Sequence, residues 1–149
     1  MYNDFKSGLR PKRRKMAIKI FVNLPVKDLK HSMEFFGSLG FSFNKQFTDE
    51  NAACLVFGED NYAMLLREEF FKTFTTKAIA DTGKYAEVIN ALMLDSRAAV
   101  DEMVDKAFAA GAGKYRDPED LGFMYSRSFA DPDGHLWEVG WMNPAHVQK

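Results

Sequence analysis

Residues 128–139 read Ser128-Phe129-Ala130-Asp131-Pro132-Asp133-Gly134-His135-Leu136-Trp137-Glu138-Val139. Asp131-Pro132-Asp133-Gly134 is a turn by residue type. Proline presets one φ, glycine accepts positive φ, and the aspartates can take bonds from nearby backbone N–H groups. Apolar runs flank the turn, Phe123 to Phe129 before it and Leu136 to Met142 after it. The stretch therefore predicts two strands joined tightly. Side chains alternate along a strand, so Glu138 faces away from Trp137, Val139 and Trp141. His135 has the parity opposite to Glu138 and is expected to face outward.

Upstream, Val88 to Leu94 is a strand-like apolar run. Asp95-Ser96 opens a helix whose stripe is Val100, Met103, Val104, Ala107 and Phe108, and Gly111 ends it. A further strand is expected at Tyr115. The first half of the chain repeats this order. Ile18, Ile20, Val22, Leu24 and Val26 alternate with Lys19, Phe21, Asn23 and Pro25, the period of a strand with one buried face. Asp28 follows as an N-cap. Leu29, Met33, Phe36 and Leu39 form a helical stripe stopped by Gly40. Three short strand-like runs come next, Phe41 to Phe47, Ala52 to Phe57 and Tyr62 to Leu66.

The pattern strand, helix, strand, strand, strand thus occurs twice. It predicts an α+β fold of two tandem βαβββ modules. Module one covers about 16–67, a helical-looking linker 68–84 and module two about 85–144, with a tail at 145–149. One helix per module covers one face of its sheet, which leaves the other faces free to curve around a ligand. Phe70, Phe71 and Phe74 in the linker read as an amphipathic turn packed on its own domain, with a lid or dimer contact as the alternative.

Composition limits the function classes. Net charge is −1, but Lys6, Arg10, Lys12, Arg13, Arg14 and Lys15 precede the patterned region, opposed only by Asp4. Residues 1–15 read as a flexible basic extension. The remainder is acidic, fourteen basic residues against twenty, which argues against nucleic-acid binding by the domain. No apolar run reaches membrane-spanning length and no signal-peptide core is visible, so no membrane partner is expected. Cys54 is the single cysteine. It reads as a small buried hydrophobe, and a reducing cytoplasm is the expected location.

Three stretches carry a family resemblance: Val22-Asn23-Leu24-Pro25-Val26-Lys27-Asp28, Phe35-Phe36 before Leu39-Gly40-Phe41, and residues 128–139. Together they resemble the vicinal oxygen chelate superfamily, which includes glyoxalase I, bleomycin-resistance proteins and extradiol dioxygenases. The chain looks closest to bacterial lactoylglutathione lyase-like proteins. The resemblance spans about Met16 to Pro144 and implies a cup-shaped mixed sheet and a homodimer.

It also implies a divalent metal held by four side chains, two from the first and last strands of each module. Those positions fall at Phe21, Leu65, Ile89 and Glu138, of which Glu138 alone is a ligand type. No metal or other cofactor is therefore expected, and Glu138 is a metal ligand only if one binds. Glu138 is the candidate catalytic residue, as general base or amine anchor, with a paired structural carboxylate as the alternative. The expected ligand-binding residues are Phe21, Asn23, Leu65, Arg67, Ile89, Ala91, Met93 and Arg127. Arg67 shares Leu65's parity, and its guanidinium suits an anionic group. Arg127 is read as the partner of Glu138. His31, His135 and His146 have no ligand spacing and read as surface residues. The expected function is binding of a small molecule in the cup. Alternatives are a metal-dependent lyase or isomerase of lactoylglutathione lyase type, and a drug-sequestering resistance protein; whether the chain is an enzyme is left open.

Overall fold

The periodicities form the elements they predict, each with an identifiable local cause. The structure, a computed structural model, describes residues 18–146. The basic extension at 1–15 and the end of the tail at 147–149 lie outside the described residues. Strand β1 (Ile20–Val26) leads into helix α1 (Leu29–Ser38), whose N-cap Asp28 accepts from the His31 N–H at 3.1 Å. Strands β2 (Ser42–Phe43), β3 (Ala52–Val56) and β4 (Asn61–Arg67) complete the first unit. After the short helix α2 (Glu68–Phe71), the order repeats as β5 (Ile89–Met93), α3 (Arg97–Ala109), β6 (Glu119–Asp120), β7 (Met124–Ala130) and β8 (Leu136–Met142). Ser96 caps α3 by accepting from the Ala99 N–H at 3.0 Å.

Three details differ from the sequence reading. The run from Phe41 to Phe47 keeps only two strand residues. The Asn44 side chain accepts from the Gln46 N–H at 2.9 Å and starts a 3₁₀ turn at Lys45–Phe47 instead. In the linker, helix is confined to Glu68–Phe71. Beyond it Thr73, Thr75 and Thr76 are poor helix formers, and the Thr73 hydroxyl turns back on the Phe70 carbonyl at 2.7 Å. Tyr115 is not in a strand; the pairing partner of β7 is β6, at Glu119–Asp120.

The two units have the same topology. Their sheets run β1-β4-β3-β2 and β5-β8-β7-β6, with β1/β4 and β5/β8 parallel and the other pairs antiparallel. A parallel first and last strand is what a βαβββ unit requires, because the helix crossover carries the chain back to the same end. β1 and β5 are both edge strands.

One core joins the units. Leu24, Val26, Leu55 and Leu65 from the first sheet meet Phe35 and Phe36 of α1, Val100 and Val104 of α3, and Phe129, Trp137 and Val139 of the second sheet. Phe36 and Trp137 are each 1% exposed, with ring centroids 5.3 Å apart in an edge-to-face contact. Burying side chains of this size stabilises the fold by roughly 2–3 kcal/mol each. Because the two rings come from different units, that stabilisation belongs to the chain as a whole.

The turn at 131–135 reinforces the junction. Asp131 is buried and accepts from the N–H groups of Asp133 and His135 and from Trp137 Nε1 at 3.0 Å. Burial raises its carboxyl above the usual carboxylate range, while His135 and these bonds oppose the rise. Asp133 accepts from the Lys27 N–H at 2.8 Å and from the Ser32 hydroxyl at 3.1 Å. His135 Nε2 lies 2.7 Å from the Pro25 carbonyl oxygen. Thus the stretch that decides the fold also docks the second unit onto the β1–α1 junction of the first.

Candidate functional site

With one face of each sheet committed to the core, the other is left free. Strand register identifies its residues. Phe21 pairs with Tyr62 and Asn23 with Met64. Ile89 pairs with Leu136, Ala91 with Glu138, and Met93 with Gly140. Glu138 is flanked on its other side by Ser128. Phe21, Ile89 and Met93 are 42%, 53% and 58% exposed, an uncommon amount of open apolar surface for edge-strand residues. The Phe21 ring stacks on Tyr62, centroids 4.6 Å apart and planes 11° from parallel. The Asn23 amide donates to the Phe21 carbonyl at 3.0 Å.

Polar groups gather at Glu138. Its carboxylate is 29% exposed and sits 3.7 Å from Arg116 Nη1, a guanidinium that also pairs with Glu119. An ion pair this long and wet contributes at most about 1 kcal/mol, so Glu138 stays available to a ligand. The Tyr115 hydroxyl donates to the Trp137 carbonyl at 3.2 Å. Burial, with a smaller contribution from the Glu138 carboxylate, raises its phenol above the usual range and keeps it protonated. The Ser128 hydroxyl is buried near the same phenol and works against that rise.

Several expected site residues lie elsewhere. Leu65 is fully buried on the helix side, in register with Leu24; on β4 it is Met64 and Leu66 that carry the opposite parity. The expected position was off by one residue, and a one-residue slip reverses the face. Arg67 shares the Leu65 face, ends β4 exposed and donates to Asn51 Oδ1 at 2.8 Å. Arg127 pairs in register with Val139, not Glu138. It therefore faces α3, 3.0 Å from Asp101 and 2.9 Å from Asp105. His135 is half-buried at the junction between the units, not a surface residue, whereas His31 and His146 are exposed. Phe70 and Phe74 pack edge to face on each other, and Phe71 lines a cavity of about 470 Å³ with Asn23, Pro25, Ile79, Tyr85 and Leu136.

Sequence reasoning missed Arg116, Tyr115 and Ser128. Ser128 could have been found by counting parity from Glu138 across the turn. Arg116 and Tyr115 sit in an irregular segment, where no periodic signal exists.

The chelate resemblance implies a metal at positions that the strand register now locates. Phe21, Met64 in place of Leu65, Ile89 and Glu138 supply one carboxylate, already beside a guanidinium. Among the described residues no group of three or more His, Cys, Asp or Glu is placed to hold a metal ion. The donor set does not fit the family's metal.

The architecture and its free faces define a class, the glyoxalase/bleomycin-resistance fold. A hypothetical protein of Staphylococcus aureus superimposes with a TM-score of 0.72 at 23% identity, over 93% of this chain and 99% of that one. A glyoxalase/bleomycin resistance protein/dioxygenase family enzyme from Burkholderia phytofirmans gives 0.70 at 18%, over 82% and 96%. The bleomycin resistance determinant encoded on transposon Tn5 gives 0.58 at 20%, over 83% and 97%. Residues 20–58 match the family described as bleomycin resistance protein-like N-terminal. That match covers the first part of unit one, and the superpositions show that the whole chain shares the fold of these proteins. No protein of curated function matches the sequence. No helix among the described residues is long and apolar enough to cross a membrane.

Proposed function

We propose that this protein binds and sequesters a small, largely apolar molecule on its free sheet faces, as a pair of chains and without the family's metal. The observation that carries the reading is the exposed apolar surface of Ile89 and Met93, which flank Ala91, the strand partner of the partly exposed Glu138. Apolar walls with a few convergent polar groups are the usual composition of a small-molecule site. Glu138 then anchors a ligand amine, and the Phe21–Tyr62 stack offers a surface for a flat ring. A second copy is the natural cover for edge-strand apolar surface of this kind. A reducing cytoplasm suits the unpaired, buried Cys54, whose thiol is raised by burial.

A second reading is a lyase or isomerase, favoured by the placement of a protonated phenol, Tyr115, close to a carboxylate, Glu138. Glu138 would take a proton and Tyr115 would stabilise the developing oxyanion.

The test pairs elemental analysis of the purified protein with calorimetric titration of 1-(aminomethyl)naphthalene, a small ammonium compound bearing a flat apolar ring. We expect no stoichiometric metal, and binding that weakens about tenfold in Glu138→Ala, as for loss of one charge-assisted bond. About one divalent ion per chain, lost in Glu138→Ala, overturns the reading and restores a chelate enzyme.

A further inference from the structure

The cavity of about 470 Å³ that Phe71 lines lies between the linker and strands β1 and β8. None of Phe21, Tyr62, Ile89, Ala91, Met93 and Glu138 borders it, so it is distinct from the face read above as a ligand site. The linker is tied down beside it. The Thr82 hydroxyl donates to the Asp133 carbonyl, and the Tyr85 N–H closes a local turn on the Asp81 carbonyl at 2.9 Å. Apolar side chains that remain partly open form much of the wall, among them Val22, Pro25, Phe71, Ile79 and Leu136.

Two opposite charges border this mostly apolar space, Lys77 and Glu87, and both are exposed. Among the described residues neither enters an ion pair, with the other or with a third group. Lys72 of the same linker, by contrast, pairs with Glu69 at 3.0 Å. His135, the imidazole in the lining, is engaged through Nε2 by the Pro25 carbonyl. An anion that enters gains from Lys77 and loses to Glu87, and a cation does the reverse. A molecule that carries both charges gains from both. The charged side chains are exposed and the apolar walls are half-buried. The ligand's two charges therefore belong together at one end, with its apolar body at the other. That is the form of an α-amino acid with a hydrocarbon side chain.

We infer that the cavity between the linker and β1 binds a free apolar α-amino acid, its carboxylate at Lys77, its ammonium at Glu87 and its side chain against Phe71, Ile79 and Leu136. The inference does not rest on the ligand proposed for the Glu138 face. Apolar walls with a few polar groups at the opening, and a volume of this size, suit a small molecule. An exposed ion pair is worth little singly, so affinity comes from adding two such pairs to the apolar area covered, and selectivity from needing both charges on one carbon.

The experiment titrates the full chain by calorimetry with L-leucine, which has no flat ring for the Phe21–Tyr62 surface. Related compounds isolate each feature. 4-Methylpentanoate lacks the ammonium, 3-methylbutylamine lacks the carboxylate, and 6-aminohexanoate is an isomer of leucine with its charges at opposite ends. Leucine is expected to bind about fivefold more tightly than either one-charge compound, the value of one exposed ion pair, and more tightly than the isomer. Lys77→Gln is expected to abolish the preference over 3-methylbutylamine alone, and Glu87→Gln the preference over 4-methylpentanoate alone. Both side chains are exposed, so the variants keep the fold. Leucine that binds no better than a one-charge compound, or than the isomer, overturns the proposal. So does a preference that survives its variant, or no binding of leucine up to about 10 mM.

Discussion

The N–H of Lys27 donates to Oδ1 of Asp133 at 2.8 Å across 106 residues of chain, and so ties the entrance of α1 to the turn between β7 and β8. The other Asp133 oxygen takes the hydroxyl of Ser32, which is buried in the first turns of the same helix. A turn that reads as a local hairpin signal thus anchors the approach to a helix in the other unit. This relationship adds to the core the two units share, and it leads to tests of stability separate from those of binding.

Replacing Asp133 by alanine leaves a buried hydroxyl and a backbone N–H without their acceptor. The expected loss is about 2 kcal/mol of unfolding free energy in urea. Asp133→Asn, which keeps one acceptor, should lose less. Both variants should still unfold in a single transition, because α1 and α3 share a core. Two separated transitions would show that the turn, not the core, couples the units.

Gly134 holds φ at +81°, and a Cβ built there would lie 2.8 Å from the Thr82 hydroxyl oxygen. That hydroxyl is fixed by its own bond to the Asp133 carbonyl. Gly134→Ala therefore combines left-handed backbone strain with a contact that cannot relax, and about 2 kcal/mol of destabilisation is expected in thermal melts. An unchanged melting temperature would contradict the tight approach of the linker at Thr82.

Arg127 and Glu138 neighbour one another in the hairpin but lie on opposite faces of the sheet. Arg127→Ala should cost about 1 kcal/mol, the pair being screened by the exposure of Asp101 and Asp105, and should leave binding of the aminomethylnaphthalene probe untouched. Glu138→Ala should do the reverse, changing binding with little effect on stability. Chemical denaturation and calorimetry on the same two variants separate these outcomes.

The Arg97 guanidinium, bonded to Asp120, holds that carboxyl down at about 2, with help from the Gly122 N–H. Its folded value lies below its unfolded one. The contribution to stability is therefore fully present above the ordinary aspartate range near about 4, and is lost as pH falls from there through about 2. A carboxyl NMR titration of Arg97→Gln should find Asp120 moved up toward the ordinary range. A midpoint still at about 2 would mean that the backbone bond alone sets it.

Much of the fold was legible because period-two and period-3.6 patterns depend only on which residues must be buried. Val22, Leu24 and Val26 declare a strand face, and Val100, Val104 and Ala107 a helix stripe, whatever they finally pack against. The site was legible in part. Glu138, Phe21, Asn23, Ile89, Ala91 and Met93 were placed on the free faces because each could be counted from a neighbouring core residue. Leu65 and Arg67 were misplaced because Ala63, Met64, Leu65 and Leu66 are all apolar, so the run carries no alternation from which to choose a face. Arg127 was assigned to Glu138 by proximity across the turn, but the hairpin register pairs Glu138 with Ser128.

The sequence by itself determined the repeated βαβββ order, the turn at 131–134, the helix caps at Asp28 and Ser96, and the face of Glu138. These follow from local sterics, capping and alternation, which act within a few residues. Only the tertiary structure decided that Asp133 bonds Lys27 and Ser32 of the other unit, and that Arg116 and Tyr115 stand beside Glu138. Those contacts join residues far apart in the chain. Their energies depend on how two sheets and two helices pack, and no periodicity within one segment encodes that packing.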